Sequence, residues 1–449
     1  MNRLAYLLQR SLLVVISILI LTSCNKEVED AQTIPKTEER VKTAIFNSMK
    51  EWYFWTDNLP GSINPGNYAT NNDLLADIIH KPLDRWSYLT TQEDFNRAFT
   101  GQNAGHGFGW GFDENEHLYL LFVYKEAPAG KDGWERGWRV LEINNKPISQ
   151  YKTANGYDFQ IGPNTPGLIN TFKFKLPDGS EITRTIDKKD YQSNSVLLNT
   201  VFETGDKKIG YWVYNSFRAS PNAQPANSMS FEVDESFNYF QTAGINELII
   251  DLRYNGGGSV AVTRQILNYL APNAANGNVM YTNTHNTKKT TQNSSATFAK
   301  KGNLNLSRLF VITSRSSASA SELLINVLEP YMEVILIGAN TYGKPVGAFP
   351  LSGYNRTLLD NNVELVPITF SIANKNGRAE YFDGFPVQVL AADDPAKNWG
   401  DPTERRLKAA LDYIITGSPI APGGRLLTYE PQWEMIDSFH GLLKEFPAY

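Results

Sequence analysis

Three short stretches of this sequence hold residue types that together could run acyl transfer. They are the glycine run Gly256-Gly257-Gly258, Ser319 at the head of an apolar stretch, and Lys344 in Thr341-Tyr342-Gly343-Lys344. A serine hydroxyl is a weak nucleophile until a neighbouring base takes its proton. A lysine can be that base when burial keeps its amine neutral. Ser319 opens a predicted helix, whose first N–H groups and dipole favour negative charge. The amide of Ala320 and one from the glycine run, at Gly257 or Gly258, are the candidate donors to an oxyanion. Glycine suits that loop because substrate must approach the backbone closely. The quartet Ser319-Ala320-Ser321-Glu322 also matches a capping box, which only starts a helix. A triple glycine alone marks a turn, and a Gly-Lys pair alone an exposed loop. The order and spacing of all three carry the chemical reading.

Other chemistries fit less well. There is no G-x-S-x-G elbow, no H-E-x-x-H and no paired-cysteine metal site. The five histidines, His80, His106, His117, His285 and His440, lie outside the three loops. No metal or cofactor is implied. The net charge of −5 over 449 residues gives no basic field for nucleic acid.

The surrounding pattern places these residues. Short strand candidates at 209–217, 247–252, 309–313 and 334–338 alternate with helix candidates at 231–243, 262–270 and 319–329. Alternation of this kind indicates an α/β core with a parallel sheet. In such a sheet the carboxyl ends of the strands share one edge, where ligands bind. The helix after Ser319 and the strand at 334–338 each span ~16 Å, so the chain can return Lys344 beside the serine. Residues 271–303 are largely polar and read as a long loop or short excursion. Upstream, 38–100 read as a small helical domain with Val41, Ile45, Met49 and Trp52 on one helix face. Residues 101–190 read as a β-rich module, and 191–420 as the catalytic part with a last helix at 403–415. Residues 421–449 are a loose aromatic tail.

The amino terminus differs from the rest. Arg3 and Arg10 precede an uncharged, mostly aliphatic run too short for a membrane span, which needs roughly 20 apolar residues. It fits the apolar region of a secretory signal over 1–23. The run ends Leu21-Thr22-Ser23-Cys24, which looks like a lipobox. Cys24 is the only cysteine, and lipidation accounts for a lone thiol in an exported chain. An acidic tether over 24–37 follows. The expected location is the cell envelope, lipid-anchored to the outer membrane and facing the periplasm or the outside.

Together these stretches resemble a known family, the tail-specific or C-terminal processing serine peptidases. Asp251-Leu252-Arg253-Tyr254-Asn255-Gly256-Gly257-Gly258 is similar to their DLRNNPGG strand-loop, Ser317-Ala318-Ser319-Ala320-Ser321-Glu322 to their SASASE motif, and Thr341-Tyr342-Gly343-Lys344 to their TFGKG segment. Gly107 to about Ser149 resembles a PDZ domain, with Gly107-Phe108-Gly109 as its carboxylate-binding loop. Asp84-Arg85-Trp86-Ser87-Tyr88-Leu89-Thr90 is similar to a segment before that domain. The resemblance implies a crotonase-like (ClpP-like) ββα catalytic core with the PDZ domain inserted. It implies Ser319 as nucleophile, Lys344 as general base, Glu322 orienting or polarising the lysine, and Ala320 with Gly257 or Gly258 as the oxyanion hole. Substrates would be protein or peptide C-terminal tails captured by the PDZ domain, which adds a strand to an exposed edge. Three positions depart from the family pattern. Pro330, beside Glu329, stands where some members carry an acid; Pro345 follows Lys344 in place of Gly; and Trp138 stands where these PDZ domains usually have Asp. Two rival readings remain: a non-catalytic peptide- or ligand-binding lipoprotein on the same fold, and a crotonase-like acyl-CoA enzyme. Nothing in the sequence fixes the oligomeric state.

Overall fold

The strand β10, counted below, has every residue from Glu247 to Asp251 buried, which is the mark of a strand covered on both faces. A computed structural model of the chain describes residues 33–154, 156–220 and 229–419. The signal-like run, Cys24, most of the tether and the 421–449 tail lie outside those residues.

In chain order, the helical region holds α1 (Thr33–Trp52), α2 (Asn71–Ile78) and α3 (Gln92–Thr100). The β-rich region follows with β1 (Gln102–Gly105), β2 (Phe108–Phe112), β3 (Leu118–Val123), β4 (Arg139–Ile143), β5 (Ile169–Lys175), β6 (Glu181–Asp187) and β7 (Lys189–Gln192). Next come β8 (Val196–Thr204), β9 (Lys207–Tyr214), α4 (Phe231–Ala243), β10 (Glu247–Asp251) and α5 (Val260–Leu270). Then follow β11 (Val279–His285), β12 (Ser294–Thr297), β13 (Arg308–Thr313), α6 (Ala320–Leu328) and β14 (Glu333–Gly338). The chain closes with β15 (Val346–Ala348), β16 (Ile368–Asn374), β17 (Val389–Leu390) and α7 (Arg405–Thr416).

The central sheet runs β8-β9-β10-β13-β14-β17. Every pair from β9 to β17 is parallel, as the alternation of apolar strands and helices requires. Side chains alternate across it. Trp212, Leu248, Ile250, Leu309, Val311 and Leu336 pack beneath α4, α5 and α6. Tyr211, Val213, Ile249, Phe310, Ile312 and Ile337 face α7 and the β-rich region.

The expected long loop at 271–303 is corrected by the structure. It contributes β11 and β12 to a second, antiparallel sheet ordered β12-β11-β16-β15. Its polar sequence reflects an edge position: Ser294 and Ser295 on β12 are exposed, so no apolar periodicity announces the strand.

On α1, Val41, Ile45 and Met49 are buried as expected. They share one core with Val346, Leu358, Leu365 and Ile368, and residues 88–90 pair with 364–366. The β-rich region has its own aromatic core, built on Trp110, Phe172, Phe174 and Trp134. Trp138 is part of it, 5.3 Å from Phe174, so the departure at 138 is a packing residue. Strand β2 lies at the end of this sheet.

Candidate active site

Parallel pairing levels the strand ends. Asp251 lies opposite Ile312, and Thr313 opposite Gly338. The loops that follow β10, β13 and β14 therefore leave one edge of the sheet, as the sequence order predicts. Hydrogen bonds weld them. The Asn255 carbonyl accepts from Ala318 N at 3.2 Å and from Ser321 Oγ at 2.9 Å. Ser317 Oγ donates to the Leu252 carbonyl at 2.7 Å, and Tyr342 N to the Ser317 carbonyl at 2.9 Å.

Ser319 caps α6 with φ 56° and ψ −111°. A positive φ at a non-glycine residue with that ψ lies outside the left-handed well, and such strain costs about 1–3 kcal/mol unless surroundings enforce it. Here Glu322 enforces it. Its carboxylate accepts the Ser319 amide at 2.9 Å, the Lys344 amide at 2.7 Å, the Gly343 amide at 2.6 Å and Thr341 Oγ1 at 2.6 Å. One buried side chain thus grips both loops by their backbones. Burial pushes the Glu322 carboxyl up, and these four donors pull it back. The capping-box reading is thus correct in part, but the same carboxylate also reaches the segment twenty-two residues on. Its contact with Lys344 is made to the backbone amide.

Ser319 and Lys344 are each only 2% exposed. Among the described residues Ser319 Oγ meets no hydrogen-bond partner. Burial pushes the Lys344 amine down to about 8, while the charges of Asp84 and Glu322 oppose the shift. Asp84 is a site neighbour that sequence reasoning did not single out. Its carboxylate accepts from Tyr53 Oη, Ser87 Oγ and two amides; the only sequence signal was its place in the Asp84–Thr90 segment.

The glycine loop meets the serine closely. A Cβ on Gly257 would stand 2.8 Å from Ser319 Cβ and 2.9 Å from the Ala320 amide nitrogen, so only glycine fits. The Gly257 amide donates to Asn255 Oδ1 at 2.9 Å. The amides of Gly258 and Ala320 donate to no described group. Of the two glycines, Gly258 therefore has the available donor, and Gly257 supplies the close approach. Asn255, fully buried with its Nδ2 on the Tyr214 carbonyl at 2.8 Å, organises this loop. Its sequence signal was its place in the Asp251–Gly258 strand-loop, which gave no structural role for it.

Beneath the loop lies a buried ion cluster. Arg253 forms a fork on Asp251 and on Glu404 and reaches Asp393 at 2.8 Å. Arg136, from the β-rich region, also reaches Asp393 at 2.8 Å and Tyr254 Oη at 2.9 Å. Tyr254 in turn donates to Asp393. Glu329, beside the position where an acid was expected, pairs instead with Arg378 at 2.6 Å.

Gly107, Phe108 and Gly109 sit apart from the serine, at the start of β2. Both glycines are packing requirements: a Cβ would lie 1.9 Å from Ala127 Cβ at Gly107 and 2.3 Å from the Phe122 ring at Gly109. Gly107 and Phe108 line a cavity of about 260 Å³. Among the described residues no cluster of three or more metal-ligating side chains occurs, and no helix is long and apolar enough to cross a membrane.

Comparison with known proteins adds to this geometry. Residues 208–364 match Peptidase family S41, and residues 40–88 match the Peptidase S41 N-terminal domain. The chain is similar to a carboxyl-terminal-processing protease of Picosynechococcus sp., 26% identical over 62% of this chain and 63% of that protein. It is also similar to a carboxy-terminal-processing protease of Bartonella bacilliformis, 25% identical over 58% of this chain and 56% of that one. The chain spans 49% to 63% of the length of the curated relatives it matches. An S41-type protein of known structure from Bacteroides fragilis shares the fold, with TM-score 0.67 and 23% identity over 83% of this chain and 97% of that one. The two matches fall in order along the chain, and residues 40–88 and 208–364 are therefore similar to the N-terminal and peptidase segments of family S41.

Proposed function

We propose that this chain is an active serine endopeptidase that cuts polypeptide tails through an acyl-enzyme, with Ser319 as nucleophile and Lys344 as general base. The observation that carries the reading is the Glu322 carboxylate, which accepts the backbone amides of both residues and so ties the serine loop to the lysine loop. The neutral amine of Lys344 takes the Ser319 proton as Oγ attacks the scissile carbonyl. The amides of Ala320 and Gly258 receive the oxyanion; such a donor is typically worth ~3–4 kcal/mol of barrier. The Lys344 ammonium then protonates the leaving amine, and the ester remains on Ser319. Lys344 next removes a proton from water, which attacks the ester and releases the carboxylate product. The proton returns to Ser319 Oγ.

The finer parts of the proposal are these. The central sheet with α4, α5 and α6 is read as a crotonase-like core, and the β-rich region as an inserted PDZ domain that captures substrate C-termini. The chain is read as exported and anchored through a lipid on Cys24 in the cell envelope. The boundaries are 1–23 signal, 24–37 tether, 38–100 helical, 101–190 PDZ-like, 191–420 catalytic and 421–449 tail. The test is cleavage of an unfolded protein by wild type, Ser319→Ala and Lys344→Ala chains. Loss in both variants is expected, and undiminished cleavage by either ends the assignment. A serine-directed covalent probe separates this reading from a pure binder, which would not label at Ser319. Radiolabelled palmitate incorporation, absent in Cys24→Ala, tests the anchor.

A further inference from the structure

The cavity at the start of β2 is bounded by two regions of the chain. His106, Gly107 and Phe108 belong to the β-rich region, whereas Arg218 comes from the segment that extends β9. We propose that Arg218 determines specificity for a free C-terminal carboxylate, so that the tail-capturing site is completed by the catalytic segment. This deepens the tail-peptidase reading and rests on it.

Several observations lead to this ligand. Strand β2 closes one end of its sheet, pairing with β3, and an open edge takes an extended peptide as a further strand. The amides of His106 and Gly107, at the head of that edge, donate to no described group. Gly107 has φ 86°, which turns the backbone as a loop that gathers amides must. Arg218 lines the same cavity, is only 4% exposed, donates through Nη1 to Ser193 Oγ and lies 5.9 Å from the Tyr124 ring. Backbone amides with a guanidinium fork beside them are the donor set that matches a planar carboxylate. A chain interior or an amidated terminus presents no such anion.

The source of the arginine matters. Arg218 follows Phe217, whose amide donates to the Gly257 carbonyl at 3.0 Å and whose carbonyl accepts the Ser259 amide at 2.8 Å. A Cβ on Gly258 would stand 2.4 Å from the Phe217 carbonyl oxygen. A carboxylate held by Arg218 is thus one residue from the brace of the glycine loop beside Ser319. Recognition of the chain end and support of the oxyanion loop share one short segment.

The experiment uses the full chain carrying Ser319→Ala, so that bound peptide is not consumed. A fluorescein-labelled octapeptide ending in an apolar residue is titrated by anisotropy in two forms, with a free carboxylate and with a C-terminal amide. The free acid should bind at least about tenfold more tightly, equivalent to ~1.4 kcal/mol. Adding Arg218→Gln should bring the two forms within about twofold of each other, and Arg218→Lys should keep part of the preference because it retains charge without the fork. Equal binding of both peptides by the Ser319→Ala chain, no binding of either, or an undiminished preference in Arg218→Gln overturns the proposal. Should the glutamine variant fail to fold, the acid-versus-amide comparison and the lysine variant still decide. Cleavage of an unfolded protein by the chain with Ser319 intact reads the peptidase assignment separately, so either conclusion can fall without the other.

Discussion

Two buried polar clusters lie within a few residues of each other along the strand end at Asp251, and they are built on opposite plans. In the cluster of Arg136, Arg253, Asp251, Asp393 and Glu404, each charge faces an opposite one and carries further hydrogen bonds. Asp393 is held well below the usual carboxylate range: burial alone would raise it, but Arg253 and Arg136 overcome that. At Ser319, Glu322 and Lys344 the glutamate accepts four donors. The serine hydroxyl has no described partner, and burial drives the lysine toward its neutral form. The first cluster uses charge to hold a shape. The second uses burial to keep a base from being a cation. Matched charges resist change, whereas a base kept neutral by burial is ready to take a proton.

The sharpest way to break this contrast is at the reactive side. Ser319→Ala or Lys344→Ala should lower kcat/KM for an unfolded substrate by at least about 10⁴-fold, with urea midpoints close to or above wild type. At the matched side the effect should fall on stability. Asp393→Asn leaves Arg136 and Arg253 short of a counter-charge, and breaking a buried pair costs about 3–5 kcal/mol; urea unfolding measures it.

Lysine 344 sharpens the comparison through pH. Its folded value is about 8 against an ordinary 10.5, so below pH 8 the folded state carries the full penalty of a buried cation. That penalty fades as pH rises toward 10.5. Lys344→Met should therefore unfold at higher urea than wild type near pH 7, by roughly 3 kcal/mol, and the gain should vanish above pH 10.5. Asp393 has the opposite sign: its contribution is present above its unfolded value near 3.8 and is lost only as pH falls well below that. The wild-type kcat/KM should rise with pH through a single step near 8, as Lys344 loses its proton.

Smaller effects follow. Gly257→Ala should lower kcat/KM about 10²-fold by pushing Ser319 out of place, with the fold retained in circular dichroism. Asp84→Asn removes a charge that favours the protonated lysine, so the step near 8 should move to lower pH by a fraction of a unit.

The sequence made the reactive cluster far more legible than the matched one. Strands β10, β13 and β14 are short apolar runs, and each ends in a loop of unusual composition, so both elements and the residues beyond them could be read. The ion cluster could not, because Arg136 and Asp393 stand 257 residues apart and nothing local pairs them. Strands β11 and β12 escaped because a half-exposed antiparallel hairpin, with β12 at the sheet edge, tolerates Thr, Asn and Ser. Glu322 was read as a cap and, from the resemblance, as a residue that orients or polarises the lysine. Its actual grip on two separate backbones depends on how the loop after β14 folds back, which no spacing rule gives.

One feature of the β-rich region bears on how such proteins can be rebuilt. Strand β1 pairs with β7, and the Ser193 amide donates to the Gly101 carbonyl at 3.0 Å, so the chain enters and leaves this region through a single doorway. A cassette with adjoining ends can be excised and bridged by a short turn, or exchanged for another small domain, without stretching what remains. Whatever replaces it must bring its own cation for Asp393, the socket that Arg136 now fills.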